Sequence, residues 1–224
     1  MNKLIVLNHK MAFSYDDLYK YISELNDINK SFVVLPSYTY LKEFCMLCNY
    51  PIGSQNVSKF MDNNHTSQIS ALQLKNIGVN YALIGHSECR KEFNETNIDI
   101  KQKVVKCLEN NIIPIICVGE KKGEDVIFVI EEQLNLIKDI DSSNIVVVYE
   151  PVWAIGTGEF PLMKEIDTVI KYIRNSFKKS IKVLYGGSVN KDNIADILMI
   201  TDGILVGSKS ANISFVKDLV KEIE

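Results

Sequence analysis

Three residues able to do chemistry each follow an apolar run: Glu150 after IVVVY, His86 after ALIG and Lys10 just beyond LIVLNH. Glu150 precedes Pro151, and a residue before proline is steered away from the helical region, so this glutamate is held extended at a strand tip. A carboxylate at an apolar strand end with no adjacent partner has a raised pKa, which suits a general base. A glutamate paired with a cation across the strand ends reads equally well from that residue alone. His86 opens what reads as a short helix, with Ser87 and Glu88 in its first turn. A helix N-terminus disfavours the imidazolium, which leaves a neutral ring able to donate a hydrogen bond. Taken singly, a satisfied core histidine is the commoner case, as a solvated surface group is for a lone lysine. Lys10 becomes an anion binder only in company, and three glycine-bearing loops supply it: Gly156-Thr157-Gly158, Gly186-Gly187-Ser188 and Gly207-Ser208. Their backbone N–H groups can cradle a phosphate, although any one glycine pair also fits an ordinary tight turn. Together these residues point to an acid–base pair beside a phosphate pocket.

The elements that must position them are legible as alternation. Short β-branched runs occur at 4–7, 32–35, 52–55, 81–84, 112–118, 145–149, 181–184 and 203–206. Segments of helical period lie between them, clearest at 15–25, 39–48, 98–108, 126–137, 166–177 and 215–223, and weaker at 67–76 and 191–199. Strands alternating with helices are parallel strands joined by crossovers, covered on both faces, which explains IVVVY with no polar alternation. Eight such units close as a barrel or stay open as a doubly wound sheet, and the count favours closure. In a barrel the chemistry gathers at the C-terminal strand ends. Polar clusters fall there: Asn8-His9-Lys10, Gln55-Asn56, His86-Ser87-Glu88, Gly119-Glu120, Glu150 and the last two glycine turns. With no linker or low-complexity tract, residues 1–224 read as one α/β domain, a (β/α)8 barrel with trimmed loops.

Composition narrows the partners. With 46% hydrophobic and 24% charged residues the chain has an ordinary globular make-up, and a net charge of −3 gives no footprint for nucleic acid. No stretch has the ~18 apolar residues of a membrane span, and the apolar N-terminal run is too short for a signal peptide, so the cytoplasm is expected. Five cysteines cannot all pair within one chain; Cys45 and Cys48 form a lone CxxC with no second pair or histidine pair, which reads as helix packing.

The stretches LNHKM at 7–11, GSQN at 53–56, YALIGHSECR at 81–90, CVGE at 117–120, YEPVWAIGTG at 149–158, YGGSV at 185–189 and DGILVG at 202–207 resemble, in order, the triosephosphate isomerase family. The resemblance covers nearly the whole chain and implies that family's TIM barrel. It implies interconversion of dihydroxyacetone phosphate and D-glyceraldehyde 3-phosphate through an enediolate, in glycolysis and gluconeogenesis, with no cofactor and no metal. Glu150 matches the catalytic base and His86 the electrophile, a pairing inherited from the family. Lys10 matches the substrate-binding lysine, and Asn8 the asparagine beside it. Gly156, Ser188, Gly207 and Ser208 fall where the phosphate is bound, and Glu88 and Glu120 match supporting carboxylates. Pro151, Val152, Trp153, Ala154, Ile155, Gly156, Thr157 and Gly158 match the closing lid. The family's homodimer implies a partner contact through the loop after strand three, about 56–67, with Thr66 retained at its tip.

Departures from the family pattern are specific. His9 stands in place of a usual tryptophan and Ala12 of an asparagine; Cys89 replaces the first of two arginines, leaving Arg90 to make the expected salt bridge. Ser208 replaces a glycine, tolerable where a backbone N–H does the binding and φ is permissible. The rear hinge of the lid reads Glu159-Phe160-Pro161, and the loop tip carries His65, Ser67 and Gln68 in place of phenylalanine, glycine and glutamate. Two rivals stand beside this reading: another phosphate-handling (β/α)8 enzyme, with no reason to keep GHSE and AIGTG, and a catalytically silent homologue.

Overall fold

Eight short β-branched runs pair side by side as parallel strands: β1 (Leu4–Asn8), β2 (Phe32–Leu35), β3 (Gly53–Ser54), β4 (Tyr81–Ile84), β5 (Ile113–Val118), β6 (Val146–Tyr149), β7 (Lys182–Tyr185) and β8 (Gly203–Val206). The computed structural model describes residues 3–62, 64–141 and 143–222. Strand order is 2-1-8-7-6-5-4-3, so the first strand lies against the last. The remaining edges, β2 and β3, meet through one bridge between Val34 and Ile52, backed by Val34 N–H donating to Pro51 O at 3.0 Å. The sheet is a nearly closed barrel with a thin seam, not an open doubly wound sheet.

Alternation along the strands builds two apolar layers. Leu4, Val6, Val33, Leu83, Val148 and Leu184 belong to a cluster made only of strand residues, the barrel interior. Their neighbours Ile5, Leu7, Val34, Val147 and Val183 pack instead with the buried faces of the helices. Those helices are α1 (Tyr15–Asn26), α2 (Leu41–Leu47), α3 (Ala71–Asn76), α4 (Ser87–Glu92), α5 (Asn97–Glu109), α6 (Val126–Leu134), α7 (Met163–Ser176), α8 (Ile194–Ile200) and α9 (Ile213–Lys221). In α7, for example, Ile166, Val169, Ile170 and Ile173 recur at helical spacing and are all buried, each contributing about 1.5–3 kcal/mol. The alternation also aims the site. Val146 and Val148 point inward, so Glu150, in phase with them, points into the mouth.

Several bounds differ from the sequence reading for local reasons. β3 shrinks to two residues because Gln55 has left the ladder and its side chain bonds the carbonyls of Lys10 and Leu35. The segment at 39–48 is a 3-10 turn, Tyr38–Tyr40, followed by α2. α3 begins only at Ala71, where Ser70 and Gln73 form a capping box. α7 starts early because Leu162 N–H bonds the Glu165 carboxylate at 2.9 Å. The helix read at 215–223 runs as Ile213–Lys221, and Ile223 lies outside the described residues. Cys45 and Cys48 are half-buried and pack against the core. No helix among the described residues is long and apolar enough to cross a membrane.

Candidate active site

Glu150 leaves β6 with its N–H on Val118 O at 2.7 Å, which ties it to the end of β5. It is only 2% exposed. Burial pushes its carboxyl above the usual range, more strongly than His86, the Cys117 thiol and Lys10 pull it down. Oε1 stands 3.9 Å from His86 Nε2, and Oε2 has no hydrogen-bond partner among the described residues. The strand beside it must be bare: a Cβ on Gly186 would lie 2.7 Å from Glu150 Cγ.

His86 caps α4. Its Nδ1 accepts the Glu88 N–H at 3.3 Å, so in the neutral ring Nε2 carries the proton and turns it toward Glu150. Lys10 has φ +51°, a left-handed backbone that costs of order 1–3 kcal/mol in a residue with a side chain. Three side chains impose it. Asn8 accepts the Lys10 N–H at 3.2 Å, while Ser37 and Gln55 donate to its carbonyl at 3.0 and 2.8 Å. The ammonium pairs with Glu88, and that hydrogen bond, against the upward push of partial burial, holds the Glu88 carboxyl below its ordinary range.

Lys10, His86 and Glu150 share one cavity of about 300 Å³ with Gly156, Ser188 and Gly207. Gly207 leads into a 3-10 turn, Ser208–Ala211, and Ser208 and Lys209, whose amides open that turn, also line the cavity. Ser208 is not among the positive-φ residues, so its side chain brings no backbone strain. Asn8, Glu88 and Glu120 do not line the cavity; Asn8 bonds Lys10, and Glu88 pairs with the Lys10 ammonium.

The segment after Glu150 arches over this cavity. Ile155, Gly156 and Gly158 line it, whereas Pro151, Val152, Trp153, Ala154 and Thr157 do not. Glu120 anchors the front of the segment: its carbonyl accepts Val152 N–H at 2.9 Å and its carboxylate accepts Trp153 Nε1–H at 2.7 Å. Burial raises the Glu120 carboxyl despite that bond. Ser188 holds the middle, donating to Ala154 O at 2.6 Å and accepting Gly158 N–H at 3.3 Å. Behind it, the Phe160 ring meets Tyr185 edge-on, centroids 6.1 Å apart.

The substituted positions also have plain structural accounts. His9 is fully buried against Phe13, Tyr21 and Phe44; burial drops its pKa to about 3, and Nε2 bonds the Tyr21 hydroxyl at 3.1 Å. Cys89 is half-buried with its thiol pushed up to about 11 by burial. Thr66 is exposed on the loop after β3. Arg90 makes no salt bridge among the described residues: its guanidinium donates to Gly85 O, Cys117 O and Asn97 Oδ1. The buried ion pair of this region joins Glu95 to Lys103 instead. Sequence reasoning missed Ser37 and Glu95 altogether, since bonds to backbone carbonyls and amides carry no residue-pair signature.

Chemically, a buried high-pKa carboxylate beside a neutral N–H donor and a cation can take a proton from carbon while negative charge gathers on oxygen. Comparison with known proteins decides between hosts for that chemistry. The family model described as triosephosphate isomerase matches residues 3–223. The chain belongs to the triosephosphate isomerase family. Among proteins named triosephosphate isomerase, that of Mesomycoplasma hyorhinis is 38% identical, the match covering 97% of this chain and 93% of that one. The triosephosphate isomerase of Francisella philomiragia is 34% identical over 99% and 97% of the two chains, and that of Orientia tsutsugamushi strain Ikeda 32% identical over 100% and 99%. A triosephosphate isomerase fold with these residues at its mouth thus spans all but the chain's extreme ends.

Proposed function

We propose that this chain interconverts dihydroxyacetone phosphate and D-glyceraldehyde 3-phosphate, as its named relatives do. The observation that carries the reading is the convergence of Glu150, His86 and Lys10 on one cavity that Ser188, Gly207 and Ser208 complete. In this mechanism the Glu150 carboxylate takes a proton from the carbon beside the carbonyl. Charge moves onto the carbonyl oxygen, where His86 Nε2–H and the Lys10 ammonium stabilise the enediolate. Glu150 then returns the proton to the neighbouring carbon. Backbone amides around Gly156, Ser188, Gly207 and Ser208 hold the phosphate, and Asn8 keeps Lys10 in place. Glu88 balances the Lys10 charge, while Glu120 anchors the lid. The lid, Pro151 to Gly158, excludes water and holds back phosphate elimination. One proton moves within one substrate, so the equation balances without a redox partner. We place the chain in the cytoplasm as a single-domain barrel and a homodimer, joined through the loop bearing Thr66.

A coupled assay of glyceraldehyde 3-phosphate formation tests the reading. The protein is expected to be active, and Glu150→Gln to lose roughly 10³-fold or more in kcat. Wild-type turnover in that variant removes Glu150 as the base; an inactive wild-type protein removes the function.

A further inference from the structure

We infer that Arg90 is a positioning residue: its guanidinium joins the ends of β4 and β5 and so sets the spacing of His86 and Glu150. This rests on the reading of those two residues as the working pair. The backbone ladder between the two strands ends at the pair Ile84 and Ile116. One step further, Arg90 Nε donates to Gly85 O at 2.8 Å and Nη2 to Cys117 O at 3.2 Å. The planar fork thus supplies a further rung where the backbone has none. His86 is bonded to the residue at one end of that rung. At the other end, Cys117 precedes Val118, whose carbonyl accepts the Glu150 N–H.

Gly85 is built for this contact. Its φ is +71°, and a Cβ there would lie 3.1 Å from Arg90 Nη2 and 2.8 Å from Ile100 Cδ1. Its N–H is taken by Glu95 Oε2 at 3.0 Å. The Gly85 N–H and C=O lie on the two peptides that flank its Cα, so neither of these, the one carrying His86 included, can rotate without breaking a hydrogen bond. Arg90 also has no carboxylate within ion-pair distance among the described residues, so its donors serve neutral acceptors. It walls a cavity of about 20 Å³ shared with Ser87, Gly119 and Glu150.

Arg90→Met keeps the stem and removes every donor. We expect kcat to fall about 100-fold with KM changed less than about threefold, as a loss of alignment rather than of binding predicts. We also expect the ¹⁵N resonances of the His86 ring to shift. Arg174 is the control. It donates to Ile200 O at 3.3 Å and pairs with Asp202 at 2.9 Å, at the opposite end of the barrel. Arg174→Met is expected to lower Tm and leave kcat unchanged. Wild-type kcat with unshifted His86 signals in Arg90→Met overturns the proposal; so does an equal kcat loss in Arg174→Met. If Arg90→Met does not fold, Arg90→Lys, which reaches one carbonyl, is expected to lose about tenfold in kcat, and wild-type kcat there overturns the proposal equally. Full activity in Glu150→Gln and His86→Gln instead defeats the reading of the pair, a separate outcome.

Discussion

Glu150 leaves one buried carboxylate oxygen without a partner among the described residues, and that has opposite effects on rate and stability. Its folded pKa lies above its unfolded value, so its contribution to stability is present below the unfolded pKa and is lost as pH rises through the folded one. At neutral pH Glu150→Gln should therefore raise Tm while it destroys turnover, and the gain should shrink near about pH 4, where the wild-type carboxyl is also neutral. Melting both proteins at the two pH values checks this; a lower Tm for the variant at neutral pH contradicts it. The acid limb of kcat/KM should likewise sit above the usual carboxylate range. His9 works the other way round. Its folded pKa of about 3 lies below the unfolded one, so stability is full above the unfolded value near 6.5 and drains away as pH falls toward 3. Between pH 7 and pH 5 that is about 2 kcal/mol, and His9→Phe should flatten it; equal denaturation midpoints for the wild type at the two pH values would count against this.

The lid is the element whose hold is most exposed to a single change. Ser188 contributes two hydrogen bonds to it, each worth about 0.5–1.5 kcal/mol. Ser188→Ala should lower kcat/KM by about 3- to 10-fold and raise the share of substrate lost as inorganic phosphate. Unchanged phosphate release would show that Ser188 does not govern closure. Legibility divides along the same lines. Glu150 could be read because strand phase and the following proline both act locally on it. His86 could be read because a short helix starts at it. Arg90 could not: the family pattern implied a salt bridge, but the side chain folds back onto carbonyls that every sequence possesses. β3 was overdrawn for a related reason, since the polar side chain of Gln55 replaces backbone pairing that periodicity alone would continue.

At the scale of the whole molecule, the loop after β3 leaves surface that the chain does not cover. Phe60 and Phe93, the latter 74% exposed, line a cavity of about 520 Å³ beside that loop. Met11 is 95% exposed. Such apolar exposure is what a stable subunit contact covers. We expect sedimentation at micromolar concentration to give twice the chain mass; monomer alone would dismiss the homodimer. The barrel order was legible only as a count, because nothing in the eight apolar runs says which strand lies beside which.

One pairing governs how the protein comes into being. Leu4 to Leu7 of β1 lie against Gly203 to Val206 of β8. Asn8 and Lys10 emerge from the ribosome roughly 200 residues before Gly207 and Ser208, a wait of about 10–40 s at ordinary elongation rates. Throughout that interval one edge of β1 has no partner, and the nascent chain depends on β2 alone to keep it from its neighbours. Gly207, Ser208 and Lys209 are thus the last of the cavity's lining residues to be made.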